Sequence, residues 1–287
     1  MLERDKIEEI SFEILHDNNL LHPIIVDGLD GSGKATIVNE LSNLLSEKGN
    51  VLMIDLPQYN QPWGQIIKKI LHEDVIDLSL EERMILYVLN RLETINGIKM
   101  QSSDIYQRSQ VPIFLLFDRF VTSNVLTCAY YSEKHGVDLD IEKLYKFMID
   151  ADNYFLSALH LEDFHVVVPQ IPPKLAIDAI SKDTTRDAPD LYEKIGVQSI
   201  ADEYYRKLGS FNNGNVTLLS QIKDSKRLPS AVVAGNILDM FLMKDGDIPS
   251  CSGIREKLNV INPDIESLME IESILNKYPN LKRLDPY

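Results

Sequence analysis

Cysteine is nearly absent from this 287-residue chain: Cys128 and Cys251 are its only two, far apart and outside any CxxC spacing. A disulfide framework or a zinc site is therefore not expected, and a reducing compartment is the default. Long hydrophobic runs are missing too. The stretch 111–117 is typical, far short of the roughly 18–20 residues that span a bilayer. Basic charge is scarce, 29 Lys and Arg against 44 Asp and Glu, a formal net charge of −15. Duplex nucleic acids and anionic membranes both select for a basic surplus, so neither partner is expected. The opening MLERDKIEEI is acidic and helix-like, unlike a signal peptide or an Arg-rich transit peptide. What fits is a cytoplasmic protein whose few basic side chains converge on one anionic ligand.

With 44% hydrophobic side chains, the chain can bury a full core. Five short apolar, β-branched runs stand out, at 23–26, 51–56, 113–117, 164–168 and 216–219. Helix-like stretches such as 35–48, 80–100 and 141–159 separate them. Near-continuous apolar strands alternating with helices predict an α/β fold, a five-stranded parallel sheet with helices on both faces. Ligands of such sheets bind beyond the carboxyl ends of the strands. Residues 1–21 and 244–287 fall outside the pattern and read as N- and C-terminal helical extensions of a domain over 22–243. Asn262-Pro263 reads as a helix start, ahead of an apolar stripe at Leu268, Ile271, Leu275 and Tyr278.

The strongest signal is the run from Val26 to Thr36, VDGLDGSGKAT. A buried strand leads in and an amphipathic helix with Ile37, Leu41, Leu44 and Leu45 leads out. Gly28, Gly31 and Gly33 let the backbone curl so that the N–H groups around Ser32 face one point. Lys34 and the positive helix end complete an anion cage, the P-loop. The Ser or Thr that usually follows the lysine and ligates Mg²⁺ is Ala35 here. Thr36 comes next, within reach of a phosphate oxygen of ATP, but on a helix it points about 100° away from position 35. Either carboxylates such as Asp27 or Asp118 hold the metal together with water and ATP oxygens, or the metal site is weakened.

Four segments then resemble the thymidylate kinase family over residues 23 to about 242. They are Gly28-Leu29-Asp30-Gly31-Ser32-Gly33-Lys34; Leu56-Pro57-Gln58-Tyr59 with Gly64; Tyr87-Val88-Leu89-Asn90-Arg91; and Asp118-Arg119-Phe120 with Ser123-Asn124. The resemblance implies a P-loop kinase fold, ATP and Mg²⁺, a nucleoside monophosphate as acceptor, and a homodimer. It places Asp30 near the acceptor sugar and Leu56, Tyr59 and Ser123 around the acceptor. Tyr87 would stack on the base, and Arg91 and Arg119 would grip the acceptor phosphate. Spacing agrees, since residues four apart share a helix face and guanidinium groups bind phosphate bidentately. The polar stretch 181–193 has the position and composition of a lid over ATP. The resemblance implies a catalytic cation from it, Arg186 with Lys182 beside it, because Gly31 occupies the third position after the first P-loop glycine. Tyr192, near the lid's end, would pack on the deoxyribose.

Two departures bear on the acceptor. Thr127-Cys128 stand where relatives often carry a Gln that pairs with thymine, and Tyr59 stands where many place a phosphate-binding Arg. The expected activity is phosphorylation of dTMP to dTDP by ATP. The alternatives are a broader deoxynucleoside monophosphate or nucleoside kinase, or a nucleotide-binding protein with weakened catalysis.

Overall fold

A computed structural model describes residues 11–73, 78–182, 190–211, 215–245, 253–260 and 263–284. Its centre is a parallel sheet of six strands in the order β5-β4-β1-β3-β2-β8. The strands are β1 (Leu21–Val26), β2 (Asn50–Asp55), β3 (Ile113–Asp118), β4 (Val166–Gln170), β5 (Val216–Ser220) and β8 (Arg255–Lys257). A separate hairpin pairs β6 (Ile222–Lys223) with β7 (Lys226–Arg227). Five of the sheet strands are the apolar runs of the sequence. The sixth corrects the expected count of five. Its residues, Arg-Glu-Lys, carry no apolar signal and were predicted to lie in a helical extension. It joins through its backbone: Val51 N–H donates to Ile254 O at 2.7 Å and Leu258 N–H to Met53 O at 2.8 Å.

Because side chains alternate across a strand, neighbours in β1 serve different cores. Ile25 packs with Leu52, Phe117 and Val166 on one face, and Ile24 and Val26 with Ile37, Leu41, Val233 and Ile237 on the other. Helices α2 (Lys34–Leu45) and α11 (Ser230–Asp245) cover the second face. The first is covered by a larger set, among them α4 (Leu80–Leu92), α6 (Asn124–His135), α7 (Ile141–Ala151) and α10 (Ile195–Ser210). Two of the long helices expected from the sequence are broken. The stretch 80–100 divides at Glu93-Thr94, where Thr94 Oγ1 donates back to Arg91 O at 2.6 Å, into α4 and α5 (Ile95–Ser109). The stretch 141–159 divides at Asp152 into α7 and α8 (Asn153–Ala158).

Both terminal segments enter the same core. Helix α1 (Phe12–Asp17), capped by Ser11, buries Phe12 and Leu15. Helix α12 (Ile265–Lys277) buries Ile271, Ile274 and Leu275. Its N-cap is Asp264, whose carboxylate accepts from Ser267 N–H at 2.7 Å. This cap corrects the expected start at Asn262-Pro263, and Asn262 itself lies outside the described residues. Helices α3 (Pro62–Glu73) and α9 (Pro173–Lys182) complete the elements the site uses. Trp63 lies fully buried in the first turn of α3.

Candidate active site

The strand register sets the site's floor. Val26, Asp118 and Asp55 stand level on β1, β3 and β2, so all three strands end on one rim. The P-loop leaves β1 at that rim. Gly31 and Gly33 take φ of +73° and +83°, open to glycine without strain. Space demands glycine as well, since a Cβ on Gly31 would lie 2.2 Å from Ala176 O. Gly33 is the N-cap of α2 and offers no side chain to its first-turn N–H groups. Among the described residues, Ser32 Oγ is buried without a hydrogen-bond partner. An anion at the mouth of α2 would answer both deficits. Lys34 Nζ donates to Leu29 O at 2.6 Å, inside the loop it serves. Burial first, and then the Arg119 charge, lower its pKa to about 8.

Asp27, expected as a metal ligand, is committed elsewhere. Its Oδ1 accepts from Gly28 N–H at 2.7 Å, Ser123 Oγ at 2.6 Å and Tyr205 OH at 3.0 Å. Its Oδ2 accepts from Thr122 Oγ1. The carboxylate therefore ties the P-loop to the segment after β3 and to α10. Asp118 is the expected ligand that remains. It lines a cleft of about 520 Å³ together with Lys34, Ala35, Thr36 and Asp55. Burial raises its pKa, partly offset by Lys34 and Arg119. A hard carboxylate oxygen facing a phosphate cleft fits Mg²⁺, which often takes one or two carboxylates besides phosphates and water.

Arg119 leaves β3 with φ of +72°. That conformation costs a non-glycine residue on the order of 1–3 kcal/mol. Its N–H donates to Val26 O at 2.8 Å, and its guanidinium donates to the Asp30 carboxylate. Asp30 Oδ1 also lies 3.9 Å from Lys34 Nζ. The Asp30–Arg119 pair, with Leu56, Pro57, Tyr59 and Asp190, borders both the phosphate cleft and a second pocket, which Tyr87, Arg91, Ser123 and Tyr192 also line. The second pocket has a volume of about 30 Å³. That is room for a water or two, so a nucleotide enters only if the walls move.

Within that pocket Tyr87 OH donates to Tyr192 OH at 3.4 Å, and Thr127 Oγ1 lies 3.0 Å from the same hydroxyl. Burial pushes the Tyr192 phenol up to about 12, so it stays a neutral donor. Arg91 departs from expectation. Its Nε and Nη2 donate to the two oxygens of the buried Asp152 at 2.7 and 2.6 Å. Two guanidinium nitrogens are thus spent on an internal pair, leaving Arg91 an edge rather than a free fork to offer a phosphate.

Lys182 ends α9, exposed. Arg186 and most of the expected lid, residues 183–189, lie outside the described residues. Three residues stand at the site without a role assigned to them from the sequence. Gln198 is fully buried, accepts from Asp30 N–H at 3.1 Å and donates to Tyr192 O at 2.9 Å, joining the two pockets. Asp190 lines both, and burial, with Asp30 nearby, raises its pKa to about 6. Asn124, 2% exposed and next to the pocket residue Ser123, has neither amide atom hydrogen-bonded among the described residues. Asn124 and Asp190 had local signals, the one directly after Ser123 and the other in the lid stretch before Tyr192, whereas Gln198 had none.

The model of the thymidylate kinase family matches residues 26–162. A thymidylate kinase of Thermosipho africanus is 23% identical over 184 residues, 64% of this chain and 82% of that protein. One from Prochlorococcus marinus is 26% identical over 220 residues, 70% of this chain and 93% of its own length. The solved thymidylate kinase of Candida albicans superposes with a TM-score of 0.51 at 17% identity, covering 78% of this chain and 92% of that one. That likeness speaks to the fold.

Proposed function

We propose that this chain, which is similar to thymidylate kinases, moves the terminal phosphoryl group of ATP onto dTMP, giving dTDP and ADP. The observation that carries this reading is the Asp30–Arg119 pair shared by a phosphate cleft and a closed acceptor pocket. Phosphoryl transfer asks little covalent help of a protein. It asks that two phosphates meet in line with their charge neutralised. The P-loop N–H groups and Lys34 bind the donor phosphates. Arg119, bordering both, meets the acceptor phosphate, and Asp30 holds its guanidinium in place. Tyr87 covers the base, while Tyr192, fixed by Thr127, closes on the sugar. Asp118 would hold Mg²⁺, which supplies charge neutralisation at the donor phosphates. Arg186, with Lys182 beside it, brings a cation from the lid.

The working unit in this reading is the P-loop domain over 22–243, with 1–21 and 244–287 as extensions, acting in the cytoplasm as a homodimer. Mixing the protein with ATP and Mg²⁺ and each of the four deoxynucleoside monophosphates, and following ADP, tests it. We expect dTMP to give the highest kcat/KM. ADP formed equally well with thymidine, or only without an acceptor, would overturn the reading.

A further inference from the structure

The P-loop is gripped from outside by a residue pair that the mechanism above does not use. Gln221, 1% exposed, follows β5 and opens the β6–β7 hairpin. Its Nε2 donates to Ser32 O at 3.0 Å and to Pro169 O at 3.1 Å. Arg227, on β7, donates from Nη2 to the same Ser32 O at 2.7 Å and reaches Gln221 Oε1 at 3.4 Å. The hairpin is fixed in turn, with Gln221 N–H donating to Gln170 O and Leu228 N–H to Gln221 O, both at 2.8 Å. Arg227 presses so closely that a Cβ on Gly33 would lie 2.6 Å from Nη2.

One carbonyl with two donors has a consequence across its peptide bond. In a planar trans peptide the C=O and the following N–H point in opposite directions. Holding Ser32 O toward the hairpin therefore turns Gly33 N–H toward the other side, where the cradle lies. A loop that binds phosphate through backbone N–H groups must expose the carbonyls between them outward, and an outward carbonyl needs donors. We propose that Gln221 and Arg227 are positioning residues for the donor phosphates: through Ser32 O they fix the Ser32–Gly33 peptide in the anion-binding orientation before the nucleotide arrives. The cradle is then preorganised, and binding energy is not spent on turning a peptide. Arg227 is exposed, so its substitution tests the idea without emptying the core.

The inference rests on the reading of the cleft as an ATP site, and the experiment separates the two. ATP binding is measured by calorimetry, and both KM values and kcat by ADP release, for the parent, Arg227→Ala, Arg227→Lys, Gln221→Leu and the double variant. We expect Arg227→Ala to weaken ATP about five- to tenfold with the acceptor KM unmoved, and Arg227→Lys to recover most of the loss. Two residues acting on one carbonyl should also be non-additive, the double variant losing less than the product of the single losses. Loss of ATP and acceptor affinity alike, no loss, or strict additivity would each overturn the proposal. A parent that binds neither ATP nor inorganic triphosphate would defeat the ATP reading itself, and the proposal with it.

Discussion

Lys34 concentrates the chemistry of the cradle in one titrating group. Its folded pKa of about 8 lies below the ordinary lysine value of 10.5 because burial disfavours the charged form. Neutral lysine cannot attract phosphate. ATP affinity measured from pH 7 to 10 should therefore hold up to about 8 and then fall roughly tenfold per unit, with proton uptake on binding above pH 8. Stability moves the other way. Between about 8 and 10.5 the unfolded chain binds more protons than the folded one, so this group's contribution to stability rises with pH across that window. Lys34→Ala should lower kcat on the order of 10²–10³-fold with the melting temperature held or raised. Near-normal turnover would remove Lys34 from the cradle. Next to it, Ala35 lacks the hydroxyl that would bind the metal, and Asp27 is fully engaged in structural hydrogen bonds. If Asp118 holds Mg²⁺ as proposed, Ala35→Ser should shift the half-saturating Mg²⁺ concentration less than about tenfold, or 1.4 kcal/mol. A larger drop in an Mg²⁺ titration of initial rate would mean that the parent site lacks a ligand.

At the scale of elements, the breaks between helices explain what sequence patterns hid. Asp152 stops α7 and turns its carboxylate onto Arg91 of α4, 61 residues away, with both side chains buried. Removing one partner leaves a buried charge uncompensated, so Asp152→Ala should cost about 3–5 kcal/mol in urea unfolding. A loss under about 1 kcal/mol would show that the pair is solvated. The P-loop and five strands were legible in the sequence because their signals are local: glycines at fixed offsets, β-branched runs, a lysine at a helix start. The Arg91–Asp152 pair was not, since nothing near Arg91 announces a partner so far along the chain. Gln198 and Gln221 were missed for a related reason. A glutamine has no characteristic motif, and its meaning here comes from which carbonyl or amide the fold brings to it.

At the scale of the whole molecule, the C-terminal segment reads as an appendage in sequence and is part of the sheet in structure. Ending the chain at Asp245 would delete β8 and α12 and uncover the surface beneath Ile271, Ile274, Leu275 and Leu281. Each such side chain contributes about 1.5–3 kcal/mol when buried, which together rivals the 5–15 kcal/mol of a whole domain. The truncated chain should therefore be found largely in the insoluble fraction, or melt well below the parent. An unchanged melting temperature would make the segment dispensable. The placement of β8 also orders the life of the chain on the ribosome. Strand β3 lies between β1 and β2, so the centre of the sheet closes only after residue 118 is made. The partner of β2's outer edge is synthesised some two hundred residues after β2 itself, as the contact of Ile254 N–H with Asn50 Oδ1 at 2.9 Å marks. Until then Val51, Leu52 and Ile54 lead along an open edge, the kind of template on which strands of other chains pair. A stalled or nicked chain would be lost by sticking to its neighbours through β2, before any defect in its chemistry could matter.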